Sequence, residues 1–285
     1  MYLKFWGVRG SIPAPGQATS KYGGNSSCVE VVAGNRAPMI LDCGTGARDL
    51  GPDLLARGQR HIGILFSHLH LDHLFGFPFF APLYAPSCKL EVVVPAINDL
   101  EAKERIGGYL NGVFHPVRLR DVPSDVSFRA VTGGDSRDIL GYQVQTVKLN
   151  HPGGAVGYRL DADGTSVVYM SDTAPFAPVG EGIAAGGAPV GHEQDVLDFL
   201  QGADVVVYDT MYTYDDYLQM MNRGHSYPEY AYAMCAAAGV RRLVLFHHLP
   251  EATDDQLDAL AEHWATVDGP VSVSLAVEGS QLQIQ

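Results

Sequence analysis

Short apolar runs broken by Gly, Pro and Asn turns open the chain. Those at 3–6, 28–32 and 39–42 predict strands. Positions 47–57 carry a helical pattern despite Pro52, and 61–66 and 89–94 return to strand patterning, the latter alternating. A helix is expected over 98–107. The second half repeats the theme, with strands expected at 126–131, 142–149, 155–160 and 166–170. Positions 205–208 are continuously apolar, as in a strand covered on both faces. An Ala-rich helix at 227–238, a strand at 243–246, a helix at 254–265 and strands at 271–277 and 282–284 complete the pattern. The Pro/Gly-rich stretch 175–191 reads as a surface excursion, since strand-like sequence resumes on both sides. Two strand-rich halves followed by helices predict two sheets face to face with helices outside, an αββα sandwich in one domain over 1–285.

Composition narrows the function. Hydrophobic residues make up 46% of 285, ample for a core, so disorder is excluded. The formal net charge is −13, a field that repels phosphate backbones and disfavours extended nucleic acid as a partner. It leaves room for a small anion at a locally positive spot. The apolar stretch 74–86 is broken by Gly76, Pro78 and Pro82 and is too short to span a bilayer, so no membrane association is expected. Cys28, Cys43, Cys88 and Cys235 form no C-x-x-C pair, and no secretory signal opens the chain. A reduced, cytoplasmic protein is the expectation, with a homodimer left open.

The chemistry concentrates at Ser67-His68-Leu69-His70-Leu71-Asp72-His73, directly after the strand at 61–66. His68 and His70 share a face while the backbone stays extended; Asp72 and His73 join them only if the chain turns. Three imidazoles and a carboxylate on one turn suit a divalent first-row metal. Seven ligands would complete a two-ion site. His151, Asp172 and His247 supply the missing types, each just past the end of an apolar strand.

These residues resemble the metallo-β-lactamase fold, whose hallmark is H-x-H-x-D-H followed by His, Asp and His, and the resemblance spans nearly the whole chain. It implies a four-layer αββα sandwich. It also implies that His68, His70 and His151 hold one ion, that Asp72, His73 and His247 hold the second, and that Asp172 bridges them. The segments Gly7-Val8-Arg9-Gly10-Ser11-Ile12-Pro13, Tyr22-Gly23-Gly24-Asn25-Ser26-Ser27-Cys28 and Leu41-Asp42-Cys43-Gly44-Thr45-Gly46 resemble the ribonuclease Z and cyclic-nucleotide phosphodiesterase branch, as does Gly224-His225-Ser226. Oxygen-reducing members of the fold carry an acidic residue where His70 stands, so the resemblance implies a hydrolase.

Two ions about 3.5–4 Å apart would acidify a shared water and clamp the entering and leaving oxygens. Zinc is the expected metal, with manganese and iron also compatible with such ligands. Asp72 could orient the nucleophile or take its proton, His225 could protonate the leaving oxygen, and Asp209 could orient His225. Each has a plainer reading. Ser226, with Glu229 three residues on, could cap a helix and leave His225 a mere neighbour, and Asp209 could cap a turn. His248 is expected in a supporting or packing role. His61, His115, His192 and His263 are expected at the surface or in loops. Phe79, Phe80 and Tyr84 could wall a pocket, though packing suits Phe79 better. Asn25 could reach the site or serve its turn.

The expected substrate is a small phosphodiester of the cyclic-nucleotide type. A lactone, thioester or β-lactam hydrolase is the carbonyl alternative, and a metal-bound scaffold the non-enzymatic one. A transfer-RNA 3′-processing enzyme would want a basic projecting arm, and 175–191 contains no Lys or Arg.

Overall fold

A computed structural model describes residues 1–221 and 223–284. The first half comprises β1 (Tyr2–Gly7), β2 (Cys28–Val32), β3 (Met39–Leu41), α1 (Ala47–Ala56), β4 (His61–Leu65), α2 (Leu71–Leu74), β5 (Lys89–Pro95), α3 (Asp99–Tyr109) and β6 (Asp125–Val131). The second comprises β7 (Ser136–Ile139), β8 (Tyr142–Leu149), β9 (Ala155–Ala162), β10 (Thr165–Met170), α4 (Glu193–Leu200), β11 (Val205–Asp209), α5 (Tyr214–Met220), α6 (Pro228–Ala237), β12 (Arg242–Phe246), α7 (Asp254–Ala265), β13 (Ser272–Leu275) and β14 (Gln281–Gln283).

The strands form two seven-stranded sheets, ordered β14-β1-β2-β3-β4-β5-β6 and β13-β12-β11-β10-β9-β8-β7. In each, a parallel block adjoins an antiparallel one: β3 to β6 run parallel in the first sheet, β10 to β13 in the second. Helices make the parallel crossovers and must therefore lie on a sheet face. Leu3, Phe5, Val29, Val31, Tyr158, Tyr169, Val207 and Phe246 pack between the sheets. The opposite face of the first sheet packs Ile62, Ile64 and Val92 with Leu50, Leu54 and Ile106 of α1 and α3. That of the second packs Val206, Tyr208 and Leu243 with Val196, Tyr230, Met234 and Trp264 of α4, α6 and α7. Both faces of each parallel block are covered, which explains the continuously apolar 205–208. The αββα sandwich is the observed architecture.

Two expected boundaries gain a physical reason, and a third shifts. Asn98 stands outside α3 as its N-cap, its side chain accepting from Glu101 N–H. Thr253 and Gln256 close a capping box at the start of α7. Residue 271 precedes β13, which ends at Leu275. The sequence reading missed β7, α2, α4 and α5. β7 is an edge strand with solvent-facing polar residues, so it carries no apolar run. α2 spans four residues, too few for periodicity. The signal for α4 was legible in Val196, Phe199 and Leu200. Among the described residues no helix is long and apolar enough to cross a membrane.

Candidate metal centre

Strands β3, β4, β8, β10, β11 and β12 end on one rim, and each delivers a polar side chain there. Asp42 directly follows β3, the 67–73 turn follows β4, His151 and Asp172 come two residues after β8 and β10, Asp209 ends β11, and His247 directly follows β12. The ends of parallel strands are where such folds collect functional groups. Asp42, Asp172 and His247 take left-handed backbone angles, with φ of 57°, 56° and 64°. A non-glycine residue there costs on the order of 1–3 kcal/mol, a strain that concentrates at functional sites.

The geometry brings all seven expected ligands together in two groups that share Asp172. One comprises His68, His70, His151 and Asp172; the other Asp72, His73, Asp172 and His247; within each, donor atoms lie within 4.8 Å of one another. Asp172 divides its carboxylate between them. Its Oδ2 lies 3.6 Å from His68 Nε2 and 3.7 Å from His151 Nε2. Its Oδ1 lies 3.1 Å from His73 Nε2 and 3.2 Å from His247 Nε2. His70 Nδ1 is 3.1 Å from His151 Nε2, and Asp72 Oδ2 is 3.1 Å from His73 Nε2. Ligands at 2.0–2.1 Å around a tetrahedral ion stand about 3.3–3.4 Å apart, so these spacings fit.

Hydrogen bonding fixes which ring nitrogen faces inward. Ser67 Oγ donates to Asp42 Oδ2 at 2.7 Å and so accepts from His68 Nδ1 at 3.1 Å. His73 Nδ1 donates to Asp42 Oδ2 at 2.7 Å, and His151 Nδ1 to the Gly224 carbonyl at 2.9 Å. Ser27 Oγ takes His247 Nδ1 at 3.1 Å. Each arrangement leaves Nε2 aimed into the cluster. The Nε2 atoms of His68, His73 and His247 are buried without a hydrogen-bond partner, although His73 and His247 lie within about 3.2 Å of carboxylate oxygens. Proximity without hydrogen-bonding geometry is what groups aimed at a common point produce. A buried unsatisfied acceptor costs roughly 1–3 kcal/mol, which a cation would offset. The donor set therefore fits two divalent ions.

The electrostatics agree. Burial lowers the pKa of His68 well below the ordinary value, with His73 adding to the effect, and burial likewise lowers His70 and His151. Those three imidazoles stay neutral, as ligands must. Burial would raise Asp172, but the neighbouring imidazoles, His247 and His73 first, outweigh it and hold the carboxyl well below its usual range. Burial would lower His73, but the charges of Asp172, Asp72 and Asp42 carry it well above the ordinary imidazole value. Without metal, a proton takes the place of a cation there.

Asp42 is the organiser that sequence reasoning quoted but left without a role. Fully buried, it accepts from Ser67 N–H at 2.7 Å, Ser67 Oγ, His73 Nδ1 and, at 2.9 Å, the Tyr169 hydroxyl. Ser11 N–H donates to Asp72 Oδ2 at 2.9 Å, and Ser26 Oγ to the Asp72 carbonyl at 2.7 Å. An acidic residue directly after a strand was the available signal for Asp42; the serines carried none.

His225 stands beside the cluster. Its Nδ1 meets Asp209 Oδ2 at 2.8 Å, its ring stacks on His247 with centroids 5.1 Å apart, and its centroid is 5.4 Å from that of His151. Asp209 is fully buried and also accepts from Thr173 and Met211 N–H. Burial would lower the His225 pKa, but Asp209, then Asp172 and Asp72, push it up to about 9.

Two of the plainer expectations are corrected, and two others are decided. Ser226 does not cap: Tyr227 is the N-cap of α6, Pro228 opens the helix, and Ser226 Oγ is buried without a partner. Phe80, not Phe79, is core; Phe79 is 62% exposed and meets edge-on the ring of His115, a loop residue as expected, though a buried one. Asn25 faces away from the cluster, pairing with Glu278 through its backbone N–H and side chain. His248 is a packing residue, with Nε2 donating to the Ala276 carbonyl and burial lowering its pKa to about 4. His61, His192 and His263 lie at the surface, and the four cysteines are buried and free.

The sequence over residues 39–248 matches the beta-lactamase superfamily domain. The chain belongs to the metallo-β-lactamase superfamily. That membership makes it a metal-dependent hydrolase by family and implies divalent metal ions. Among curated proteins, a ribonuclease Z of Mycobacterium avium is 28% identical over 269 residues, covering 90% of this chain and 89% of that protein. Among solved structures, the metallo-β-lactamase-fold protein YhfI of Bacillus subtilis superposes with a TM-score of 0.70 at 19% identity, covering 99% and 98% of the two chains. The human short-form tRNase Z gives 0.68 at 18% identity over 100% of both. At these identities the two structures share the fold with this metallo-β-lactamase-superfamily chain.

Proposed function

We propose that the chain is a dinuclear phosphodiesterase acting on small or cyclic-nucleotide-type diesters, with His68, His70 and His151 holding one zinc ion, Asp72, His73 and His247 the other, and Asp172 bridging them. The observation that carries this reading is the His225–Asp209 pair set against the donor cluster. With Nδ1 committed to Asp209, His225 has Nε2 as the nitrogen that gains or gives up a proton, and in the metal-free chain the Asp209 carboxylate raises its pKa in favour of the cation. An imidazolium beside the cluster suits an alkoxide leaving from phosphorus, a contribution of typically 10²–10⁴-fold.

The two ions, when bound, would supply an acidified water and neutralise the diester charge. The protein's own groups do the rest. Asp72, with Oδ2 held by Ser11 N–H, has Oδ1 left to hold a proton of the attacking water. His70 is the exposed ligand, so substrate enters on its side. Asp209 keeps the His225 ring in one tautomer and orientation.

Transfer-RNA processing is the second reading, favoured by the ribonuclease Z relative. Weighing against it is the net charge of −13 and the way the 175–191 stretch is pinned to the body. Asn150 Nδ2 donates to the Pro175 carbonyl, Tyr230 OH accepts from Phe176 N–H, and the buried Glu193 accepts from Ile183 and Val190 N–H.

The test is metal content with turnover of bis(p-nitrophenyl) phosphate, 2′,3′- and 3′,5′-cyclic nucleotides, a precursor tRNA, a lactone and nitrocefin side by side. Cleavage of the small diesters is expected. Carbonyl turnover without diester cleavage, or activity confined to precursor tRNA, would overturn the proposal.

A further inference from the structure

A pocket of about 290 Å³, at the lower end of ligand-pocket sizes, is lined by segments that run on from the candidate centre. One wall is 175–185, which continues from Asp172; the other is formed by α5 and the start of α6, which continue from Asp209 and His225. Asn150, adjacent to His151, holds the first wall through the Pro175 carbonyl at 2.7 Å. Tyr227, two residues after His225, lines the second.

The lining is unusual in having four tyrosines, Tyr214, Tyr217, Tyr227 and Tyr230, with the carboxylates of Glu181 and Glu229. Tyr227 is the centre of the group, 5.1 Å from Tyr214, 4.8 Å from Tyr217 and 6.1 Å from Tyr230 between ring centroids. The inner rings are fixed by packing: Tyr217, Tyr227 and Tyr230 are buried, and Tyr230 OH donates to Glu193 Oε1 at 3.0 Å. Tyr214 is 40% exposed at the mouth. A planar aromatic guest would meet the Tyr214 ring at the mouth, and ionised carboxylates can only accept hydrogen bonds, so they favour a guest edge that carries donors such as an amino group.

We infer that this pocket is the nucleobase subsite, built to stack the base of a nucleoside diester on the exposed ring of Tyr214, which Tyr227 braces from behind, and to take bases with an amino edge through Glu181 and Glu229. The inference rests on the phosphodiesterase reading for its substrate class. It places the base on the His225 side of the cluster and the phosphate at the donor groups.

The experiment titrates adenosine, guanosine, cytidine, uridine and tetramethylammonium into the full, metal-loaded chain, following binding by calorimetry or NMR. Amino-bearing nucleosides bind and uridine binds more weakly. Tyr214→Ala weakens the nucleosides about tenfold or more, as loss of one stacked base does, while Tyr214→Phe retains them. In parallel, Tyr214→Ala raises KM for a 2′,3′-cyclic nucleotide with kcat little changed, and leaves glycerol 1,2-cyclic phosphate, which has no base, unaffected. Nucleosides that do not bind, binding that Tyr214→Ala leaves intact, equal loss in Tyr214→Phe, or tetramethylammonium bound in their place would each overturn the subsite. Nucleoside binding with no diester turned over would instead overturn the phosphodiesterase reading and leave the subsite standing.

Discussion

Asp209 Oδ2 and His225 Nδ1 lie 2.8 Å apart, and the carboxylate that receives the ring is fully buried and fixed by two backbone N–H groups. Neither member of the pair is among the seven candidate ligands, although the His225 ring packs on His247 and His151. His225→Ala is expected to lower kcat on small diesters by about 10²–10⁴-fold, with metal stoichiometry unchanged by elemental analysis. Asp209→Asn should lose less, because the ring is retained but poorly oriented. Full activity in His225→Ala would remove it from the chemistry.

The same pair predicts a pH dependence in metal-free protein. Burial lowers the His225 pKa, but Asp209 and then the other carboxylates carry it to about 9, above an unfolded value of about 6.5. A group raised on folding stabilises fully below the unfolded pKa and loses that contribution as pH rises through the folded one. The stabilisation from the pair is therefore present at pH 6 and gone above about pH 9. Histidine NMR titration and urea unfolding across that window test it, and Asp209→Asn should abolish the raised titration.

Asp42→Asn exchanges an acceptor for an amide that cannot satisfy His73, Ser67 and Tyr169 together. Disturbing such a supporting group typically costs 10–100-fold in metal affinity. The expected outcome in a chelator-buffered titration is selective weakening of the ion on the His73 side, so stoichiometry at limiting metal falls from two toward one.

Gly10 and Gly224 are required by close approach to ligand rings. A Cβ at Gly10 would lie 2.6 Å from His247 Nε2, and one at Gly224, where φ is +87°, would collide with His151. Gly10→Ala should fold yet bind the second ion at least tenfold more weakly, while Gly224→Ala should impair the first. Metal content measured beside thermal unfolding separates these outcomes from general destabilisation.

Removing metal should itself lower stability. An ion present at a thousandfold excess over its Kd stabilises the folded state by about 4 kcal/mol per site. Chelation is thus expected to lower Tm, and re-addition of zinc to restore it; an unchanged Tm would argue that the clusters bind no ion.

The linear chain determined more of this protein than its modest similarity to relatives would lead one to expect. Apolar runs marked most strands because strands buried on both faces must be apolar, and the candidate ligands were visible because imidazoles and carboxylates stood at the ends of those runs. The resemblance implied that Asp172 is shared; tertiary structure alone decided that its Oδ2 faces His68 and His151 and its Oδ1 faces His73 and His247. It also decided that Asp42, Ser67 and Ser27 fix the imidazole tautomers, that Ser226 is not a cap, and that Phe79 and Phe80 exchange their expected places. Such facts concern the directions of side chains from segments remote in sequence, and local periodicity holds no information about which remote segments meet.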